Sequence, residues 1–481
     1  MKYKEKNIII FLALLIGIIS YFGFLKGFYS IDTERILSQG YYNYAINDAY
    51  IKDGRIFSAL IFGIIGKVMP YANIKIVYII NIILAIFILS LATLELYKII
   101  NNYIKRTDLK NKVISFLLSS TYIFSCMQID SMQFIDSFII CTSVLLFIIS
   151  LKQTIILKNN KKGFIIALIS IFCYQGSIPM YIATAFLFTL LESKKFDSKF
   201  LKTISICAIN IVIVSIINLL FVNIVPNVMN LTLTNRIENV NYIEEFIQNI
   251  NKYFDVICGK DGYFPEYLML IISTIIITIS IFNKNKRIAI NELCIFLIYT
   301  ASGLVMISLS VMERTLLPLG EIISAMLIYG WCNFNETYKI SYKILEILIF
   351  VFFSFNLINN IYLTKQFMEA QKIDKIFAEE VENELENLNF DKTQNLKISK
   401  YYTGSGKRLK DKKYSPVIFL NSIYLTNTYT EYMLEFYMNN SVKIEQLPID
   451  KQIIEENFKI PSDQEIQMKM INDILYIVVD L

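Results

Sequence analysis

The sequence predicts a polytopic α-helical membrane protein with a small C-terminal α/β domain, and three observations predict it. First, 55% of the 481 residues are hydrophobic and only 18% are charged, with a mean hydropathy of +0.50. A soluble chain of this length carries more charge and fewer long apolar runs. Second, Lys and Arg gather in alternate loops between apolar stretches, as the positive-inside rule requires of a multi-span protein. Third, the composition turns charged and mixed after Leu363.

The elements follow in order. Residues 7–29 form a retained first helix, because the run is too long for a signal-peptide core and no small-residue cleavage pattern follows. Further spans are expected near 74–97, 113–128, 134–151, 163–175, 178–191, 201–225, 266–282, 289–310, 315–333 and 344–363, about eleven in all. Lys2, Lys4 and Lys6 precede the first. Lys98 to Lys112, Lys152 to Lys162, Lys194 to Lys202 and Lys284 to Arg287 then fall in loops on that same side. This places the N-terminus in the cytoplasm and the protein in the plasma membrane. Two stretches are ambiguous. Residues 163–191 are read as two short helices joined at YQGSIP, where Gly176 and Pro179 supply turn chemistry. Residues 56–69 are too short to span and contain Lys67, so they belong to a long external loop, 30–73, as an interfacial segment. The transmembrane domain is 1–363. Residues 364–481 form the α/β domain: a helix-like run, strand-like NLKISKYY and SPVIFL, a helical TEYMLEFYMNN and a terminal strand ILYIVVDL. An odd span count puts this domain outside the cell.

Composition also excludes chemistry. The chain has no histidine, so proton transfer falls to Asp, Glu, Lys, Tyr or Cys. Its seven cysteines lack metal-ligand spacing, and neither a disulfide framework nor a His/Cys metal site is expected. No basic patch interleaved with aromatics points to nucleic acid.

Ionisable residues at the external edge of the membrane are the informative ones, because half-burying charge is costly. Asp32 follows the first span almost directly and Glu34 lies two residues on. A carboxylate so placed serves as a general base or as a solvated loop residue. Arg55, in Asp53-Gly54-Arg55, pairs with Asp53, binds a phosphate, or anchors the interface. Asp130 and Asp136 bracket a short turn, and Asp136 lies inside the apolar FIDSFII, where ion pairing is expected as much as catalysis. Tyr174-Gln175 sits between the two half-length helices, a common setting for membrane-embedded substrate groups, with packing as the alternative. Glu313-Arg314 occupies the loop before the tenth span, where Arg314 stabilises a phosphate or simply pairs with Glu313. Tyr41, Tyr42, Tyr44 and Tyr50 either stack on sugars or belong to the interfacial belt.

These pieces resemble the Gtr type II family of membrane glucosyltransferases, which modify O-antigen and related cell-surface glycans. The carriers are Asp32 in SIDTERI, DGR at 53–55, YQ at 174–175, ERTLLP around Arg314, and Pro461 followed by INDILYIVVDL. The resemblance implies a GT-C-like architecture, a polyprenyl-phosphate sugar donor, a glycan acceptor and an inverting transfer. It further implies that Asp32, or its neighbour Glu34, acts as base. Asp53, Arg55, Tyr174, Gln175 and Arg314 would then bind substrate and phosphate. Some relatives use a divalent cation, and Asp53 or Asp136 would contribute to one. A lipid-linked sugar flippase or transporter and a non-catalytic envelope assembly protein are the competing readings. A transporter is expected to show repeat symmetry, which this sequence lacks.

Overall fold

The computed structural model describes residues 3–27, 30–104, 108–231, 242–260, 262–282, 286–305, 315–334, 339–402, 430–438, 442–460 and 466–480. They form a large helical bundle and a smaller α/β unit at the C-terminal end.

The bundle opens with α1 (Tyr3–Ser20) and the one-turn α2 (Phe22–Leu25). The expected first external loop is itself folded. It holds α3 (Ile31–Gln39), a π-helical turn (Asn43–Asp48) and α4 (Ile56–Val68). At 13 residues α4 is too short to span. It buries Ser58, Ala59, Phe62 and Gly63 and turns Leu60, Ile64 and Val68 outward.

Next come α5 (Ile74–Tyr103), α6 (Leu109–Ile123), the short α7 (Gln128–Met132) and α8 (Ser137–Leu151), which runs into a π-helical turn at Lys152–Ile156. Side-chain caps start several helices: Asn73 accepts from two amides of α5, and Asp108 from one of α6. The pair α9 (Asn160–Cys173) and α10 (Ile178–Ser193) breaks at YQGSIP as expected. Tyr174 is extended, Gln175–Ser177 form a 3-10 turn, and Pro179 sits in the first turn of α10, where its missing N–H costs nothing. The bundle continues with α11 (Ser198–Val228), α12 (Tyr242–Ile257), α13 (Leu268–Phe282), α14 (Lys286–Gly303) and α15 (Leu317–Asn333). Almost every residue of α15 is buried, so it runs through the middle of the bundle.

Five helical stretches are long and apolar enough to cross a bilayer: Ile74–Tyr103, Ser137–Ile156, Gln175–Ser193, Ser198–Val228 and Ile340–Asn387. Helices among the described residues also overlap the other expected spans, but they are shorter or carry more charge. Outward-facing Ile76, Ile80 and Ile83 of α5 and Ile209, Val212, Ile216 and Leu219 of α11 make an apolar outer surface. That surface suits lipid better than water.

The compositional change after Leu363 is no break in the chain. The 49-residue α16 (Lys339–Asn387) runs straight across it. Its first half packs Leu345, Ile349, Phe352 and Leu363 into the bundle core, and its second half packs Phe377, Ala378, Val381 and Leu385 into a separate core. That second core lies under a sheet of β1 (Leu396–Tyr402), β2 (Ile444–Gln446), β3 (Ile466–Ile471) and β4 (Ile474–Val479), ordered β2-β1-β4-β3. β1 is parallel to both neighbours, while β3 and β4 form an antiparallel hairpin. Its turn is Asn472-Asp473, both at positive φ, as a two-residue hairpin requires. α17 (Thr430–Tyr437) and α18 (Lys451–Asn457) complete the unit. The expected strand SPVIFL lies outside the described residues. β2, β3 and α18 had no counterpart in the sequence reading.

Candidate active site

The ionisable residues of the first loop meet Asp136 at one end of the bundle. Asp136 precedes α8, and its carbonyl accepts the first amides of that helix, from Ile139 and Ile140. The side chain is 0% exposed. Such a carboxylate needs partners, and a helix N-terminus is favourable ground for it. Its Oδ2 accepts a hydrogen bond from Ser58 Oγ at 2.8 Å and one from Arg55 Nη1 at 3.4 Å.

The DGR turn presents that arginine. Gly54 adopts φ +72°, and a Cβ there would lie 2.6 Å from Val222 of α11. Only glycine meets both conditions without strain. Gln175 donates through Nε2 to the Asp53 carbonyl, and Asn218 donates through Nδ2 to that of Gly54 at 3.4 Å. α11 and the α9–α10 break thus clamp the turn. Arg55 is 8% exposed. Its guanidinium lies 5.1 Å from the ring centre of Tyr174 and 5.9 Å from that of Tyr50, with Asp53 Oδ2 at 3.9 Å. Burial works against the charge of Arg55, but Asp136 and then Asp53 outweigh it and hold the group protonated.

Asp32 stands in the first turn of α3 and is half-buried. Its charge acts on Arg35, Tyr44, Tyr50, Arg55 and Asp136, so it belongs to the same cluster. The Tyr44 phenol is pushed far up, first by burial and then by Asp32. Arg35 pairs with Asp48 and lies between the rings of Tyr44 and Tyr432 at 5.3 and 5.8 Å. Tyr432 comes from α17 of the C-terminal unit, which packs directly on α3.

The structure separates Glu34 from Asp32. Glu34 is 2% exposed, and its Oε2 has no hydrogen-bond partner among the described residues. Burial lifts its carboxyl well above the usual range, with Asp374 of α16 and Asp32 adding to the shift. It faces the junction with the C-terminal unit, where Asp374 also acts on the buried Lys400 of β1. A carboxyl sealed from solvent is poorly placed to take a proton from a substrate.

The candidate residues that the sequence suggests are therefore divided. Asp32, Asp53, Arg55, Tyr174 and Gln175 converge, with Tyr174 as the floor and Gln175 as a clamp on the turn. Glu313 and Arg314 lie outside the described residues. The phosphate role expected of Arg55 meets a competing fact, since both of its neighbouring carboxylates already engage it. The sequence reading did not anticipate Arg35, Asp48 or Ser58, and it treated Tyr44 and Tyr50 mainly as belt residues. Asp136 carried a signal, an acid inside FIDSFII; Ser58 carried none.

Several buried polar atoms at this site lack partners among the described residues: Arg55 Nε, Asp136 Oδ1, Tyr50 OH and Gln175 Oε1. Donors and acceptors both occur among them, and each is sealed from solvent. A divalent cation fits the set poorly. Among the described residues no three Asp, Glu or Cys side chains gather as ligands, and Asp53 and Asp136 are taken up by Arg55.

No protein-family model matches the chain, and no curated protein matches it by sequence.

Proposed function

We propose that this protein is a membrane glycosyltransferase that moves a hexose from a polyprenyl-phosphate carrier onto a cell-surface glycan. Glucose is the sugar implied by the Gtr type II resemblance. In this reading the chain spans the plasma membrane about eleven times, with its N-terminus in the cytoplasm and its C-terminal unit outside. The observation that carries the proposal is the half-buried Asp32 held among Arg35, Arg55, Tyr44 and Tyr50 at one end of the bundle.

The chemistry follows from those groups. Asp32 takes the proton from an acceptor hydroxyl as the oxygen bonds to C1 of the donor sugar. The C1–O bond to the carrier phosphate breaks, and the electron pair leaves with the phosphate. Attack from the opposite face inverts the anomeric centre. A phosphate leaves well without a general acid, so the protein contributes mainly positioning and charge. Asp136 and Asp53 hold the Arg55 fork in one orientation. Arg35 beside Asp32 supplies further positive charge toward the leaving group, and Arg314 is the additional phosphate-binding cation that the Gtr type II resemblance implies.

Radiolabelled polyprenyl-phosphate glucose and extracted envelope glycan, incubated with purified protein, test this. Wild type is expected to move label into glycan, and Asp32→Asn to transfer about a hundredfold more slowly or worse. Near-normal transfer by Asp32→Asn removes it as the base. No transfer by wild type with any hexose donor sinks the glycosyltransferase reading, and donor crossing the bilayer unconsumed would indicate a transporter.

A further inference from the structure

One side chain of the C-terminal unit reaches the Asp32 cluster. The helix that carries it, α17, is fixed within its own unit. Met433 and Leu434 enter the second hydrophobic core, and Glu435 accepts from the amide of Ile444 in β2 at 2.8 Å. The Thr430 amide donates to the side chain of Gln446, in the same strand, at 2.8 Å. A short helix tied to a strand at two places presents its other side chains in set directions. Tyr432 is one of these, half-buried where α17 packs on α3.

Tyr432 meets Arg35. Asp32 and Arg35 are three residues apart in α3, so they share one face of that helix. Asp48 pairs with the guanidinium, and the rings of Tyr44 and Tyr432 lie 5.3 and 5.8 Å from it. The two rings have different origins. Tyr44 is buried in the bundle, edge-on to Tyr50 at 5.2 Å, whereas Tyr432 arrives from the other unit. Arg35 Nε is sealed and has no hydrogen-bond partner among the described residues. Ring faces and one carboxylate therefore orient this planar group. Burial works against its charge, but Tyr44, Asp48 and Asp32 outweigh it and hold the group protonated. Glu431, next to Tyr432, also senses the Arg35 charge.

The contact has a chemical use. The Arg35 side chain is 22% exposed, and its long stem has many rotamers to lose. Where the guanidinium points decides how much positive charge reaches Asp32. A cation held close keeps a carboxylate ionised, and one that swings away does not.

We propose that Tyr432 is a positioning residue of the Asp32 site: its ring holds Arg35 beside Asp32, so the site is complete only when the C-terminal unit is docked on α3. This inference rests on the transferase reading, in which Asp32 is the base.

The test uses purified full-length protein, radiolabelled polyprenyl-phosphate glucose and envelope glycan, with kcat, KM and the pH profile measured for each variant. Tyr432→Leu is expected to lower kcat about tenfold, the effect of a modest misplacement, with KM for the donor unchanged. The low-pH limb of its rate profile is expected to move to higher pH, because a carboxylate base has lost the cation that favours its ionised form. Tyr432→Phe, which keeps the ring, is expected to restore both kcat and the profile. Arg35→Lys keeps the charge without the planar face, and it is expected to behave as Tyr432→Leu does. If Tyr432→Leu does not fold, as judged by its melting temperature, Arg35→Lys against Tyr432→Phe decides. The inference is overturned if Tyr432→Leu keeps the wild-type profile and loses transfer only in proportion to folded protein. It is also overturned if Tyr432→Phe is as impaired as Tyr432→Leu. Wild type that transfers nothing overturns the transferase reading itself, an outcome distinct from an active wild type with an unaffected Tyr432→Leu.

Discussion

At the scale of single residues, the site rests on a buried charge that needs its partner. Asp136 is sealed from solvent and Arg55 nearly so. Removing one member leaves the other uncompensated, which typically costs about 3–5 kcal/mol. Asp136→Ala is therefore expected to lower the melting temperature of the purified protein sharply, and Arg55→Met/Asp136→Leu to cost clearly less than the sum of its single changes. Additive losses would show that the pair is not coupled. Glu34 makes a pH-dependent prediction. Its folded carboxyl binds a proton more tightly than the ordinary value of 4.5. The folded state thus holds the extra proton, and stability falls as pH rises above 4.5 toward the raised value, by at most about 1.4 kcal/mol per pH unit. Lys400, pushed down to about 7 by burial, has the opposite sign: its contribution grows as pH rises above 7. The difference between wild type and Glu34→Gln isolates the carboxyl. The variant is expected to gain on wild type as pH rises above 4.5 in thermal melts, and parallel curves would refute a raised proton affinity at Glu34. Asp136 was legible because an acid inside an apolar run demands a reason. The partnership of Arg35 with Asp48 was not, because two charges in a polar loop look alike whether they meet or point apart.

At the scale of elements, hydropathy located most helices of the bundle but not α3, α7 or α12, and glycine and proline located the break between α9 and α10. Both signals are local and strong: a run of about 20 apolar residues has few fates, and Pro179 fits the first turn of a helix and little else. The π-helical turns at Asn43–Asp48 and Lys152–Ile156 had no such signal, since their wider hydrogen-bonding is set by neighbours packed against them. The strands β2 and β3 are short and partly exposed, too brief for a period-two pattern to stand out. The DGR turn is the element on which the site depends most. A side chain at Gly54 meets both an unfavourable φ and the Val222 methyl. Gly54→Ala is expected to destabilise by about 1–3 kcal/mol and, by shifting Arg55, to reduce transfer more than it reduces folded protein. Loss of both in proportion would mean that the turn matters for folding alone.

At the scale of the whole molecule, the C-terminal unit is part of the same construction as the helical bundle. α16 belongs to both hydrophobic cores, and α17 covers α3, the helix that carries Asp32. Sequence composition marked where the polar unit begins, but composition carries no information about whether a helix stops there. The topology prediction belongs at this scale. Alkaline phosphatase fused after Leu481 is expected to be active and a green fluorescent fusion dark, if the proposed topology, with that end outside, holds. The reverse result would remove one span from the count and move α3 and its carboxylate to the cytoplasm.

The length of α16 has a mechanical consequence. The stretch 364–387 extends about 36 Å past the compositional change at a rise of about 1.5 Å per residue, as part of one uninterrupted helix. A tilt of about 5° at its lower half carries the far end sideways by about 3 Å. Apolar helices tilt when the bilayer thins or thickens. Because α16 is shared by both cores and α17 packs on α3, a change in the tilt of its bundle half is geometrically linked to the contact that covers the Asp32 helix.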